Sequence, residues 1–449
     1  MPSKEEQHED TYDADVVIVG AGFAGATVAR ECALRGLRTL VLEGRDRVGG
    51  RTHTVQMSNG DIADIGGTFI HWTQPHFWSE ITRYGLTGDV VDAAEVETEW
   101  VLAPIGEGLE WRSAEEHYER EKALVERFFE SASSVFPRPY DPLACADAVA
   151  ELDSLTVRDR LDELNLSPED DAHLSALLST FASSTPEKIS YVNLLRWAGL
   201  TGQTYDAMLG TLMGSKLKHG TGPLLDAILA DGGATVRLSS RVEKVATVDD
   251  HVELTLTGGE VVSGAVVVIA TPSGVWPHLQ FSPPLSPERL DAARTGMQTP
   301  TASKSIAVIK GEPRSFFIQP RLGHPIALMW TTHQRPNGEQ VVTLMNSAAM
   351  KDANDPQEVG AAIRELLPDA ELVDVRGSNF DDRDEFAQGG WPILAPGLLT
   401  RYAPHERLSK PEGRVVYATA DIATTWNSFI DGAIESGLRA ARDVQGILR

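Results

Sequence analysis

Asp15-Val16-Val17-Ile18-Val19-Gly20-Ala21-Gly22-Phe23-Ala24-Gly25 decides how this chain starts to fold. Residues 15–19 form a short β-branched run ending in glycine, the pattern of a strand buried on both faces. Gly20, Gly22 and Gly25 then give GxGxxG spacing at the mouth of a helix expected over 23–35, which Gly36 is placed to end. The first glycine permits a tight turn, the second lets a pyrophosphate approach the backbone, and the third lets the helix pack closely on the strand. Residues 38–42 (RTLVL) read as a second strand. Glu43 closes it, 23 residues after Gly20, where a carboxylate takes ribose hydroxyls. GxGxxG alone also makes plain turns. Here strand, helix, second strand and acid all follow in order, so the opening reads as a dinucleotide-binding βαβ unit of a doubly wound α/β sheet.

The next residues suggest a larger cofactor than a simple nicotinamide dinucleotide. Glu43-Gly44-Arg45-Asp46-Arg47-Val48-Gly49-Gly50-Arg51 runs from the ribose carboxylate into a cation–glycine loop, where Arg51 supplies a fixed charge to a pyrophosphate. Asp64-Ile65-Gly66-Gly67-Thr68 repeats the close-approach chemistry.

The whole chain sets bounds on the rest. At 449 residues it exceeds one typical compact domain. Its 65 acidic and 40 basic residues give a net charge of −25, which excludes binding nucleic acid or an anionic membrane through bulk charge. Of that charge, −16 falls in residues 86–190, with 24 acids and 8 bases. Cys32 and Cys145 exclude a disulfide framework, a CxxC pair and a Cys-rich metal site. No metal is expected from the scattered histidines; His71 and His76 read as core or entrance residues. The polar N-terminus has no signal segment, and the longest apolar run, near 261–271, is far short of the about 20 residues a membrane span needs. A cytoplasmic protein is expected.

Further along, residues 86–210 look helical and acidic, interrupted by the proline-rich loop 136–142. A helix over 223–231 precedes strands at 234–238, 251–257 and 260–270, the last stopped by Pro272. Residues 303–309, 325–331 and 341–346 read as a further sheet. A buried strand at 414–420 and a helix from Ile430 to Leu448 close the chain.

In this order and spacing, Gly20–Gly25, Glu43–Thr52 and Asp64–Thr68 resemble the flavin-containing amine oxidases, the monoamine and polyamine oxidase superfamily. Tyr417–Asp421 and Trp426 through Ile430–Gly437 agree with it. Residues 23–43, 71–76, 83–86, 135–139 and 431–440 are most similar to its bacterial nicotine oxidoreductase and pseudooxynicotine amine oxidase branch. The resemblance spans about residues 14–447. It implies an α/β fold: a Rossmann-like FAD-binding domain of the glutathione-reductase/amine-oxidase type, a mixed-sheet substrate domain and a helical insertion. The corresponding segments are a disordered tail (1–13), FAD-binding parts at 14–85, 212–295 and 397–449, a helical substrate subdomain at 86–211 and a substrate-domain sheet at 296–396.

The implied cofactor is FAD, contacted by Gly20, Gly22, Ala24, Gly25, Glu43, Gly44, Arg45, Gly50, Arg51, Gly66, Gly67, Thr68, Val242, Thr271, Asp421 and Ile430. It is expected to be non-covalent, because Gly390 is followed by Trp391 where covalently flavinylated relatives carry cysteine. The implied catalytic residues are Lys304, reaching flavin N5 through a water, and Trp391 and Phe429, an aromatic pair facing the flavin. Trp72, Tyr205 and Trp330 are expected in the substrate pocket. The amine must be neutral to give up hydride, and a dry aromatic pocket favours that form. Monoamine oxidases usually carry Tyr at position 429 and the nicotine enzymes an amide; Phe429 favours an apolar or aryl amine.

The expected partners are a small-molecule amine and, as electron acceptor, O2 or a basic electron-transfer protein such as a cytochrome c. Self-association as a homodimer is a further expectation. Two alternatives share the fold: a flavin desaturase or porphyrinogen-type oxidase, and a catalytically silent FAD-fold binding protein.

Overall fold

The computed structural model describes residues 12–105, 108–295, 301–402 and 406–449. The opening strand, Ala14–Val19, sits inside an eight-stranded sheet, parallel to Thr39–Leu42 on one side and Val261–Ile269 on the other. Val16, Val17 and Ile18 are fully buried, as a β-branched run covered on both faces must be. The sheet order is Gln280–Ser282, Val242–Val248, His251–Leu256, Val261–Ile269, Ala14–Val19, Thr39–Leu42, Thr235–Arg237, and Val415–Tyr417 also pairs in parallel with Val261–Ile269. Three separated stretches of chain therefore build one sheet.

Helix Phe23–Ala33 packs against this sheet, and the C-terminal helix Ile430–Leu448 packs against that helix. The close approach depends on Gly437, where a Cβ would lie 2.7 Å from the Ala24 carbonyl and 2.7 Å from the Thr27 Cβ. Gly437→Val is expected to destabilise the fold by about 1–3 kcal/mol, read as a lowered melting temperature, because neither neighbour is free to yield.

The second sheet has seven strands, in the order Glu371–Asp381, Thr301–Lys310, Gln340–Asn346, Ile326–Gln334, Phe316–Ile318, Trp100–Ile105, Gly108–Ser113. All its pairs are antiparallel except Phe316–Ile318 with Trp100–Ile105. Strand parity decides what its faces do. Ala307 and Ile309 pack in a core with helix Pro356–Leu366. Ile306 and Val308 face Met57 and Ile65, which flank the hairpin Thr54–Gln56 and Ile62–Asp64. Lys304 shares the parity of Ile306 and Val308, so it also points that way.

The region expected to be helical, 86–211, opens with strands before its helices. Strands Val90–Asp92, Trp100–Ile105 and Gly108–Ser113 precede its helices, and the latter two extend the second sheet. Pro104, which argues against a strand by lacking an N–H, pairs there with Leu109. Helices Ala114–Phe128, Pro168–Ala182, Tyr191–Thr201 and Tyr205–Met213 then form the insertion. Residues 1–11 of the expected disordered tail lie outside the described residues, as does the start of the expected segment at 296. The end of the tail is packed: Tyr12 stacks on His251, and the Asp13 carboxylate accepts hydrogen bonds from Ser263. Among the described residues, no helix is long and apolar enough to cross a membrane.

Candidate active site

A cavity of about 340 Å³ runs between the two sheets and under the helical insertion. Gly20, Gly22, Ala24, Glu43, Gly44, Arg45, Gly50 and Arg51 line one end. Gly20 has φ +108°, a conformation that favours glycine, and a Cβ on Gly25 would lie 2.0 Å from the Gly20 carbonyl. Gly25 therefore serves helix–strand packing and is not on the cavity wall. No side chain caps helix Phe23–Ala33, so its first amides are free for an anion. The buried Glu43 carboxylate accepts from the Ala21 amide at 2.7 Å and the Arg45 amide at 2.9 Å. Those bonds leave lone pairs on both oxygens for hydroxyls.

The cations of the following loop divide their work. Arg45 pairs with Asp384 at 2.7 Å and lies over the Phe386 ring, while Arg47 is spent on the carbonyls of Val48, Gly50 and Thr52. Arg51 donates to the Gly390 carbonyl and to Asp421 Oδ1, each at 2.6 Å. Asp421 is not a lining residue. It is fully buried behind Arg51, and its other oxygen accepts from the Ser273 amide and hydroxyl at 2.8 Å. Its place is that of a group that orients Arg51.

Gly66, Gly67, Thr68, Val242, Thr271 and Ile430 continue the wall. The Thr271 and Ser303 hydroxyls are buried on it with no hydrogen-bond partner, which suits a polar group in the cavity. The C-terminal helix also begins without a side-chain cap, with Ile430 on the wall, an arrangement that stabilises negative charge nearby. These residues fit a dinucleotide. Cys32 and Cys145 are both off the cavity, and a Cβ on Gly390 would lie 1.9 Å from Ala302 Cβ.

Lys304 lines the same cavity. Its Nζ donates to the Asp64 carbonyl at 2.8 Å, the Gly66 carbonyl at 3.3 Å and the Thr68 hydroxyl. Burial pushes this ammonium down to about 8, against the pull of Asp64. The Asp64 carboxyl is itself raised by burial, though Thr54, Lys304 and Thr221 oppose the shift.

Beyond Lys304 the walls are aromatic. Trp391 and Phe429 both line the cavity. The Trp391 indole donates to the Phe181 carbonyl at 2.8 Å. Phe429 meets Trp197 edge-on at 5.6 Å and Trp426 at 5.2 Å. The Ser428 hydroxyl donates to the Pro392 carbonyl, tying the two wall segments together. Trp330 is on the wall as expected, 6.2 Å from the Phe69 ring.

The other two expected pocket residues are elsewhere. Trp72 is 68% exposed. Tyr205 is buried off the cavity, its hydroxyl donating to Glu121 Oε1. Glu121 also accepts from His117 at 3.2 Å and His173 at 2.7 Å. This buried trio is compact enough to hold a metal ion. Its outer shell favours a hydrogen-bond hub, because the Gln319 amide donates to His173 Nδ1 and leaves the proton on the nitrogen facing Glu121. Burial raises the Glu121 carboxyl, but its imidazole hydrogen bonds hold it well below the usual carboxylate range.

Sequence reasoning missed Phe69, Phe181, Trp197, Met213 and Met345, which complete the apolar walls. Each reads as an ordinary core residue in its own segment, and no local signal marks it.

The family described as flavin containing amine oxidoreductase matches residues 23–445. A pseudooxynicotine dehydrogenase of a Pseudomonas species is 33% identical over 444 residues, covering 98% of this chain and 88% of the relative. A nicotine dehydrogenase of Pseudomonas putida is 34% identical over 441 residues, covering 97% and 89%. Among solved structures, a putrescine oxidase superposes with TM-score 0.80 at 19% identity, covering 96% of this chain and 99% of that one. Cyclohexylamine oxidase from Brevibacterium oxydans gives TM-score 0.76 at 22% identity, covering 97% and 100%.

Proposed function

Because the chain belongs to the flavin-containing amine oxidoreductases, we propose that it binds FAD non-covalently and oxidises the carbon next to the nitrogen of an apolar or aryl amine. The observation that carries this reading is the continuity of one cavity, from the uncapped helix Phe23–Ala33 and Glu43, past Lys304, to Trp391 and Phe429. FAD, when bound, supplies a hydride acceptor, so that the amine leaves as an imine and hydrolyses to an aldehyde or ketone.

The chain's own residues prepare the amine. Trp391, Phe429, Trp197 and Trp330 exclude water and disfavour the ammonium form. Among the described lining residues the acids are Glu43 and Glu385. Glu43 caps the dinucleotide loop and Glu385 pairs with Arg241, so neither offers an ammonium a counter-ion at the aromatic walls.

Purified protein tests the proposal. It should show flavin absorbance, release all of the flavin as FAD on acid precipitation, and bleach anaerobically with at least one of a panel of aryl, alkyl and heterocyclic amines. Absent flavin, or flavin that no amine bleaches, would sink it.

For the electron acceptor, the acidic insertion favours a basic electron-transfer protein such as a cytochrome c over O2. Arg120 and Arg158 are each already paired with two acids, while Glu115, Glu116 and Glu119 are exposed. Reoxidation by cytochrome c is expected to slow at least about tenfold between 20 and 500 mM salt, as screening shortens the field. A salt-independent rate would leave the acid as a solubility coat.

A further inference from the structure

Arg196 lies in helix Tyr191–Thr201, one residue before the wall residue Trp197, and is 1% exposed. A buried guanidinium ordinarily pairs with a carboxylate. This one is held by oxygens of amide carbonyls. Its Nε donates to the Pro139 carbonyl at 3.0 Å, and its two terminal nitrogens donate to Thr424 O, Thr425 O at 3.2 Å and Asn427 Oδ1 at 3.4 Å. Burial pushes it down to about 10, with Glu435 opposing.

Glu435 holds the N–H groups of the same two residues. Its two oxygens accept from the Thr424 and Thr425 amides, each at 3.0 Å, and from the Thr425 hydroxyl at 2.6 Å. The cation thus grips the carbonyls of this loop and the anion grips its amides. The loop leads through buried Trp426 to Ser428, a non-glycine residue at φ +81°, and then to Phe429. Such a backbone conformation persists only where its surroundings over-determine it. The grip on residues 424–427 and the Ser428 bond to Pro392 are part of those surroundings, with the Ser428 amide donating to the Ala420 carbonyl and the Trp426 indole to the Thr73 carbonyl.

We propose that Arg196 is a positioning residue for amine oxidation: together with Glu435 it clamps the 424–427 loop and thereby sets the Phe429 wall of the cavity. This rests on the reading that Phe429 faces the substrate. The planar guanidinium is needed because several N–H groups in one plane reach several carbonyls at once, which a lysine ammonium does not match.

A double-mutant cycle on the holoenzyme tests it, using an amine that bleaches the wild-type flavin. Arg196→Met is expected to lower kcat/KM about 10- to 100-fold at unchanged flavin content, since a displaced wall misplaces the donor carbon. In a Phe429→Ala background the same change should cost less than about twofold. Arg196→Lys should behave like Arg196→Met. Equal costs in both backgrounds, or full activity in Arg196→Lys, would overturn the clamp. If Phe429→Ala alone leaves kcat/KM unchanged, the wall reading itself fails, and that result is distinct from additivity. Should Arg196→Met not fold, Glu435→Gln probes the other jaw of the clamp with the same expected non-additivity.

Discussion

Lys304→Met is expected to slow flavin reduction by amine about 100- to 1,000-fold, within the range of a lost proton-handling group, while FAD stays bound. The position predicts this effect. Strand parity aims Lys304 toward Met57 and Ile65, and Asp64, Gly66 and Thr68 hold its Nζ on the cavity wall. The pH dependence follows from its depressed ammonium, which loses its proton near 8 instead of the ordinary 10.5. Wild-type flavin reduction should rise through about pH 8 as the lysine loses its proton, with a separate limb set by the substrate amine. Lys304→Met should keep only the limb that belongs to the substrate, measured by anaerobic stopped flow between about pH 6 and 10.

The same shift has a sign for stability. Between pH 8 and 10.5 the unfolded chain binds the proton and the folded one does not, so stability rises with pH across that window. Relative to Lys304→Met, the wild type should gain about 3 kcal/mol over it. A variant whose rate and profile match the wild type would remove Lys304 from the chemistry.

Asp421→Ala is the second large effect. The Asp421 side chain is fully buried, holding Arg51 with one oxygen and the Ser273 amide and hydroxyl with the other. Its removal leaves a guanidinium with only the Gly390 carbonyl among these partners and strands a buried amide. Breaking such a pair costs about 3–5 kcal/mol. Because Arg51 lines the dinucleotide end, flavin retention on gel filtration should fall with the melting temperature. Asp421→Asn keeps the shape and is expected to fold while retaining less flavin than the wild type. Stoichiometric flavin and an unchanged melting temperature in Asp421→Ala would end the assignment.

The dinucleotide end was legible in the sequence because its chemistry is local. Gly20, Gly22 and Gly25 sit within six residues, and each meets a close approach set by its immediate neighbours. Lys304 fell in the expected strand 303–309, but which way it points came only from the folded sheet, where Ile306 and Val308 meet Met57 and Ile65. Residues 100–113 were not read as strands, because Pro104 and the acidic surroundings masked a hairpin that is completed only by residues 316–318. The aromatic walls were half legible. Trp330, Trp391 and Phe429 reached the cavity, whereas Tyr205 turned to Glu121 and Trp72 to solvent.

By itself, the sequence determined that this chain opens with a dinucleotide loop on a parallel sheet, since glycine spacing and β-branched runs act over a few residues. Only the tertiary structure decided which aromatic residues face one another, and that the residues before Phe429 are held by both Arg196 and Glu435. The Arg196–Asn427 and Trp391–Phe181 contacts join segments more than 200 residues apart, and side-chain contacts at that separation have no local periodicity to announce them.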